Sequence, residues 1–219
     1  MTDITEPLAI WIQQLRAIAQ TGLAFEPNVY DRERYDALIE LAAKMAATLN
    51  GTATLDPALA DAFAARWRAD VVPGVPGYVT PKVGVGAAVF NIHDEILLIE
   101  RPEGGWFYPT GWGDVGLSPA QVAVKEVREE TGIIATPLRV IGVYDSKTWR
   151  RDLNPHFYSV LFECRHEGGT LRPHPAETRG AGFFTRDNLP QPIYQNRAEQ
   201  IERAWAAHCG EISETYFDW

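Results

Sequence analysis

The sequence predicts a mixed α/β sandwich preceded by a small helical domain. Three observations carry this reading. Apolar residues recur at helical spacing up to about position 68, where a helical bundle would end. The stretch VVPGVPGYVTPK at 71–82, with three prolines and two glycines, then interrupts the pattern. From Val83 onward short strand-like runs are interleaved with one central and one terminal helix, which suits helices layered on a mixed sheet. The expected organisation is a helical domain at 1–70, a linker at 71–82 and an α/β domain at 83–219.

Residues 7–20 carry Leu8, Trp11, Ile12, Leu15 and Ile18 at helical spacing, and the Thr21-Gly22 pair marks an end. Residues 31–48 predict a second helix, with Asp31 as N-cap and Tyr35, Leu38, Ile39, Ala42 and Met45 as its apolar stripe. A third spans about 57–68, with Pro57 at its start. Beyond the linker, VGVGAAVFNI and EILLIERP flank the His93-Asp94 turn signal and read as paired strands. WFYPTGWGDVG follows and brings the chain to the loop before the central helix. LRVIGVYDS and HFYSVLFECR follow as strands joined by the polar connection KTWRRDLNP, GAGFF is a short strand, and a last helix lies near 194–208.

Composition narrows the function classes. The chain has 219 residues, 46% apolar and 22% charged, ordinary values for a globular protein. Its net charge of −9 argues against general affinity for DNA or anionic membranes, and residues 1–70 are themselves acidic. Cys164 and Cys209 are the two cysteines, too few for a disulfide framework or a zinc site. The N-terminus MTDITEP lacks the basic and apolar regions of a signal peptide, and no apolar run spans a bilayer. A cytoplasmic location is expected.

The chemistry concentrates in GWGDVGLSPAQVAVKEVREETGI at 111–133. Ser118, Pro119 and Gln121 form an N-terminal capping signature, and Gly132 stands where a left-handed C-cap belongs. Between them Glu126, Glu129 and Glu130 project from one narrow helix face at i, i+3 and i+4. A bare E-x-x-E-E suits a solvated acidic face. The two caps and the glycine-rich lead-in favour a site for a divalent cation with hard oxygen ligands, Mg2+, Mn2+ or Ca2+.

These residues resemble the Nudix box, G-x5-E-x7-R-E-U-x-E-E-x-G-U, where U is a bulky aliphatic. Gly111, Glu126, Val127, Glu129, Glu130, Gly132 and Ile133 fall in register, whereas Leu117 stands at a box Glu and Lys125 at the box Arg. Asp114 is the nearest carboxylate able to take over part of the missing Glu. Thr110 replaces the usual Gly in WFYPTGW, and the late FF…LP segment is present as Phe183, Phe184, Leu189 and Pro190. The segment IAQTGLAFEPNVYDRERYDAL is similar to the N-terminal helical domain of a Nudix subgroup that includes CDP-choline pyrophosphatases. That subgroup commonly has GW-x-DVG-x-SP ahead of the helix, so both departures look like subgroup habits.

The resemblance implies a Nudix-type α/β/α sandwich and a Mg2+- or Mn2+-dependent hydrolase. Its substrates would be small nucleoside diphosphate-X compounds of the CDP-choline or ADP-ribose type. The implied metal ligands are Glu126, Glu129, Glu130 and the Gly111 carbonyl. Glu129, Glu130 and Glu177 are candidate catalytic residues; Arg150, Arg151 and Asp114 are candidate substrate contacts. Base-stacking candidates are Trp106, Phe107, Tyr108, Trp112 and Trp149. Lys125 is expected to brace the loop or helix. A homodimer is expected. The alternative is a catalytically weak Nudix-fold protein that binds nucleotides or regulates.

Overall fold

The computed structural model describes residues 5–25, 27–50, 55–71, 80–114, 116–149 and 156–219. The described chain divides into two compact units between Pro81 and Lys82, and residues 72–79 of the expected linker lie outside the described residues. No helix among those described is long and apolar enough to cross a membrane.

The first unit holds α1 (Thr5–Ala24), α2 (Val29–Asn50) and α3 (Pro57–Ala69). Ile12, Ala19 and Leu23 of α1 close on Ile39, Ala42, Ala43 and Ala46 of α2 and on Ala64 and Trp67 of α3. Alanine-rich facing surfaces let the helix backbones approach. Three sequence expectations change here. Gly22 does not end α1; a Cβ there would meet the Tyr35 ring at 2.3 Å, so this glycine serves close packing of α2. Asn28, not Asp31, caps α2, because its Oδ1 accepts from the Asp31 N–H at 3.0 Å. Trp11 and Ile18 lie outside the core, 51% and 58% exposed, since α1 carries more apolar positions than a three-helix core can cover.

The second unit is built on a mixed sheet. Its strands are β1 (Lys82–Phe90), β2 (Ile96–Glu100), β3 (Trp106–Phe107), β4 (Thr110–Trp112), β5 (Ile133–Asp145), β6 (Phe157–Gly169), β7 (Gly180–Phe184) and β8 (Tyr216–Phe217). The order is β3-β2-β1-β6-β5-β8, with β4 also on β1 and β7 also on β2. The β1/β6 and β5/β8 pairs are parallel, and the remaining pairs are antiparallel. Central β1 is buried on both faces, which explains its unbroken apolar run. Val85, Ala87 and Val89 meet Val122, Ala123 and Val127 of α4 (Pro119–Thr131). Ala88 and Phe90 turn the other way, to Ile201, Ala204 and Trp205 of α5 (Ala198–His208). The sheet is thus sandwiched between α4 and α5, as expected. The stretch leading to the loop before α4 contains two short strands, β3 and β4, which like β8 had no counterpart in the sequence reading.

Candidate active site

The ends of α4 are built by local chemistry. Ser118 Oγ accepts from the Gln121 N–H at 3.3 Å, and Gln121 Oε1 accepts from the Ser118 N–H at 2.8 Å. Gly132 takes φ 74°, and its N–H donates to the Arg128 carbonyl. The helix is therefore fixed in register between the preceding loop and β5. Its glutamate face lies against β4, where Gly111 is held opposite Val85 of β1.

The three glutamates have different surroundings. Glu126 fills the space that a side chain at position 111 would take; a Cβ on Gly111 would lie 2.2 Å from its carboxyl carbon. Burial raises the Glu126 pKa despite the adjacent Lys125 ammonium. Glu130 is 3% exposed, and its Oε2 accepts from the Thr110 N–H at 3.1 Å. Burial pushes it up to about 7, against the opposing pull of Arg101. Glu129 is half exposed. Lys125 Nζ stands 3.1 Å from Asp114, 3.4 Å from Glu126 and 3.2 Å from Glu129. These contacts raise the Lys125 pKa and tie the loop to the helix.

The glutamates therefore share a helix face without forming a ready-made cluster. No group of three His, Cys, Asp or Glu side chains among the described residues is arranged to hold a metal. Like charges on one face repel, and each carboxylate turns to a cation or donor of the chain itself. The donor chemistry nevertheless fits a hard divalent cation. Asp114, Glu126 and Glu129 supply carboxylate oxygens around a position where a cation, the Lys125 ammonium, already sits. The missing Cβ of Gly111 leaves the room that Glu126 needs.

The remaining candidates are spread more widely. Leu117 is exposed; its N–H donates to the Asp114 carbonyl at 3.2 Å, and its side chain offers no ligand. Glu177 is exposed beside His174, whose Nδ1 is 3.8 Å from its carboxylate, and its charge also bears on Glu130. The loop holding it is anchored to α4, since His174 N–H and Thr178 Oγ1 both donate to the Glu130 carbonyl. Arg150 and Arg151 lie outside the described residues. His156 pairs with Asp145 at 2.9 Å, a contact within the β5–β6 connection.

Sequence reasoning missed two arginines. Arg101 follows β2 and reaches Glu130 with Nη1 at 3.5 Å; Nη2 donates to Thr110 Oγ1, and buried Nε has no partner. The one available signal was a lone arginine closing the apolar run ILLIE. Arg197 is sandwiched between the Phe107 and Trp149 rings, 4.1 and 4.3 Å from their centroids. Its Nε and Nη2 donate to Gln200 Oε1, which also accepts from Tyr108 Oη. Phe107, Tyr108 and Trp149 are thus engaged in packing, and Trp106 lies edge-on to Phe184. Of the five aromatic candidates, Trp112 is the exposed one, at 49%.

Comparison with known proteins places these features in a family. Residues 80–204 match the NUDIX domain, and residues 6–55 match the UDP-X-like, N-terminal oligomerisation domain. YjhB of Bacillus subtilis (strain 168), provisionally named an ADP-ribose pyrophosphatase, is 38% identical over 179 residues, covering 81% of this chain and 80% of that protein. The crystal structure of a UDP-X diphosphatase aligns over 98% of this chain and 99% of its own, with TM-score 0.59 and 29% identity. That of an ADP-ribose pyrophosphatase from Streptococcus suis 89-1591 aligns over 64% of this chain and all of its own, with TM-score 0.56 and 38% identity. The chain belongs to the Nudix hydrolase family and carries its NUDIX domain behind an N-terminal domain of the UDP-X-like oligomerisation type.

Proposed function

We propose that this protein hydrolyses the diphosphate bridge of a nucleoside diphosphate-X compound, releasing a nucleoside monophosphate and a phosphorylated X. The observation that carries the reading is the cation-collecting arrangement under β4, with Glu126 seated against Gly111 and Lys125 drawing in Asp114 and Glu129. Glu126, Glu129, Glu130 and the Gly111 carbonyl would hold Mg2+ or Mn2+. Such an ion, when bound, offsets phosphate charge, lowers the pKa of bound water and aligns the reacting groups.

In the reaction a water oxygen bonds to one phosphorus, the bridging P–O bond breaks, and the departing phosphate keeps the electron pair. We assign the water's proton to Glu177, which is exposed and whose loop is tied to α4 at Glu130. Arg101 holds the buried Glu130 in place. Arg150 and Arg151 are assigned to the phosphates as forked donors. Trp112, half exposed and edge-on to Phe157, is the aromatic assigned to stack on a base. The ADP-ribose pyrophosphatase relatives favour ADP-ribose over CDP-choline as first substrate, with UDP-linked compounds next. The protein is taken to act as a homodimer, in keeping with its N-terminal domain type. Two free cysteines suit a reducing cytoplasm.

The test is turnover with Mg2+ or Mn2+ across ADP-ribose, UDP-sugars, CDP-alcohols, dinucleoside polyphosphates and nucleoside triphosphates, with products identified in oxygen-18 water. Label is expected in one phosphate product, and chelation should abolish turnover. Activity undiminished by exhaustive chelation would overturn the metal assignment. Preference for triphosphates with pyrophosphate release would overturn the diphosphate-X assignment.

A further inference from the structure

Arg197 is a buried cation without an anion of its own. It is 8% exposed, and the Phe107 and Trp149 rings cover its two faces. Among the described residues it pairs with no carboxylate. Its Nε and Nη2 donate to Gln200 Oε1 at 3.1 and 2.6 Å, and Tyr108 Oη donates to the same oxygen at 2.9 Å. An amide oxygen has two lone pairs, so three donors compete for it. Burial lowers the Arg197 pKa, and the groups that bear on it next are Tyr108, Arg101, Tyr194 and Tyr144. Ring faces attract a guanidinium, but a buried charge is stable only when it is also paired and hydrogen-bonded.

The surroundings are rich in donors and short of acceptors. Trp149 Nε1 is buried without a partner, and so is the hydroxyl of Tyr144, whose ring lies edge-on to Trp149. Arg197 is also the N-cap residue of α5 and makes no capping bond with its side chain, so the positive end of the helix adds to the excess. The acidic residue of that turn, Glu199, is engaged by Arg203. Arg101 brings a second guanidinium, but it faces Glu130. One positive charge is left over.

We infer that Arg197 is an anion subsite of the proposed active site and that it takes a carboxylate carried by the X group of the substrate. The Nε–Nη2 edge of the guanidinium is committed to Gln200, whereas Nη1 has no partner among the described residues. A carboxylate accepts two parallel bonds from the Nη1–Nη2 edge that remains. One surplus positive charge also balances one carboxylate, and falls short of a phosphate monoester with about −1.5 to −2 at pH 7. The position suits the far end of a nucleoside diphosphate-X compound. Phe107, on which Arg197 stacks, precedes Gly111 of the cation site by four residues, at most about 14 Å of chain. Arg101 stands between the two, 3.5 Å from Glu130 and 5.8 Å from the centroid of the Tyr194 ring, which neighbours Phe107. The inference rests on the hydrolase reading and adds to it the chemistry of X.

The experiment compares UDP-glucuronate with UDP-glucose, which differ by a carboxylate in place of a hydroxymethyl group. Affinities for the full-length protein are measured by calorimetry in chelator, where nothing is turned over, and turnover is measured separately with Mg2+. UDP-glucuronate should bind about ten-fold or more tightly than UDP-glucose, and in turnover the preference should appear in KM rather than kcat. Arg197→Met should bring the affinity ratio to about one. Arg197→Lys keeps the charge and gives up the fork; it should leave a ratio of about two to three, and it decides the matter if Arg197→Met fails to fold. Absence of the preference in the wild-type protein, including failure of both compounds to bind, overturns the inference; turnover of either compound would then leave the hydrolase reading standing. A preference that persists in both variants overturns the assignment to Arg197. Preferential binding that depends on Arg197, with no compound turned over, keeps the subsite and sinks the hydrolase reading.

Discussion

Replacing Gly111 with alanine should separate catalysis from stability. The new Cβ would lie 2.2 Å from Glu126 Cδ and Oε1 and 2.6 Å from Cγ, against an ordinary contact of at least 3.4 Å. The carboxylate must therefore retreat by about 1.2 Å, the gap between those contact distances. Gly111 cannot retreat instead, because the β1–β4 ladder holds it opposite Val85. Glu126 can move, since its carboxyl is the far end of a flexible side chain. A glycine-to-alanine change at compatible φ also gains ~0.4–1 kcal/mol through the unfolded chain, which offsets the strain. The melting temperature should hardly change. Displacing one reacting group by about 1 Å costs on the order of a hundred-fold in rate, and a loss of that size is expected here. Gly86, paired with Thr110 on the same strand, is the contrast. A Cβ there would meet the buried Tyr108 ring at 2.6 Å, with no flexible end to yield. Gly86→Ala should cost about 1–3 kcal/mol of stability. Thermal melts, Mg2+-dependent turnover and Mn2+ binding by electron paramagnetic resonance read all three quantities. A Gly111→Ala protein with wild-type turnover and Mn2+ affinity would refute the placement of Glu126 in the cation site.

Two further outcomes follow from the ion pairs. Lys125→Met leaves Asp114, Glu126 and Glu129 without their shared ammonium, so the metal-free protein should melt lower at low salt and bind Mn2+ several-fold more tightly; weaker Mn2+ binding would mean that Lys125 chiefly shapes the loop. Glu163 is buried, which alone would raise its pKa, but hydrogen bonds from His208 at 2.9 Å and Arg139 at 2.7 Å outweigh burial and hold it below the usual carboxylate range. A depressed carboxylate pKa contributes stability above the unfolded value and loses it as pH falls through the folded one. Glu163→Gln should therefore cost about 2 kcal/mol at pH 7. Urea midpoints of the two proteins should converge below about pH 4, and a gap independent of pH would contradict this.

What the sequence disclosed follows the range of the forces involved. The α4 helix was legible to the residue because Ser118, Gln121 and Gly132 act within one turn of the ends they fix. The strands of the sandwich were legible where burial is periodic or continuous, as in β1 and β2. Gly22 was misread because its role is set by Tyr35, which lies on another helix. Trp11 and Ile18 have the spacing of core residues, and spacing alone does not tell which of two apolar stripes faces inward. Strands of two or three residues, such as β3 and β8, are too short to carry a period. Arg101 and Arg197 owe their places to Glu130 and to aromatic rings distant in sequence, so composition offered almost nothing.

The two departures from the box become intelligible together. A guanidinium at position 125 would present a planar fork suited to one bidentate carboxylate. The Lys125 ammonium is a point charge with three rotatable donors, and it serves three carboxylates at once. One of those, Asp114, comes from the loop that in other members carries a glutamate three residues later, where Leu117 here points to solvent. Losing the glutamate removes a carboxylate from the loop, and drawing Asp114 toward the helix returns one. Lysine at 125 and aspartate at 114 are in this sense one change: an ammonium can reach a third carboxylate that a fork committed to one partner would leave unpaired. The proposed cation site would thereby keep its count of negative charges while its donors are redistributed between loop and helix.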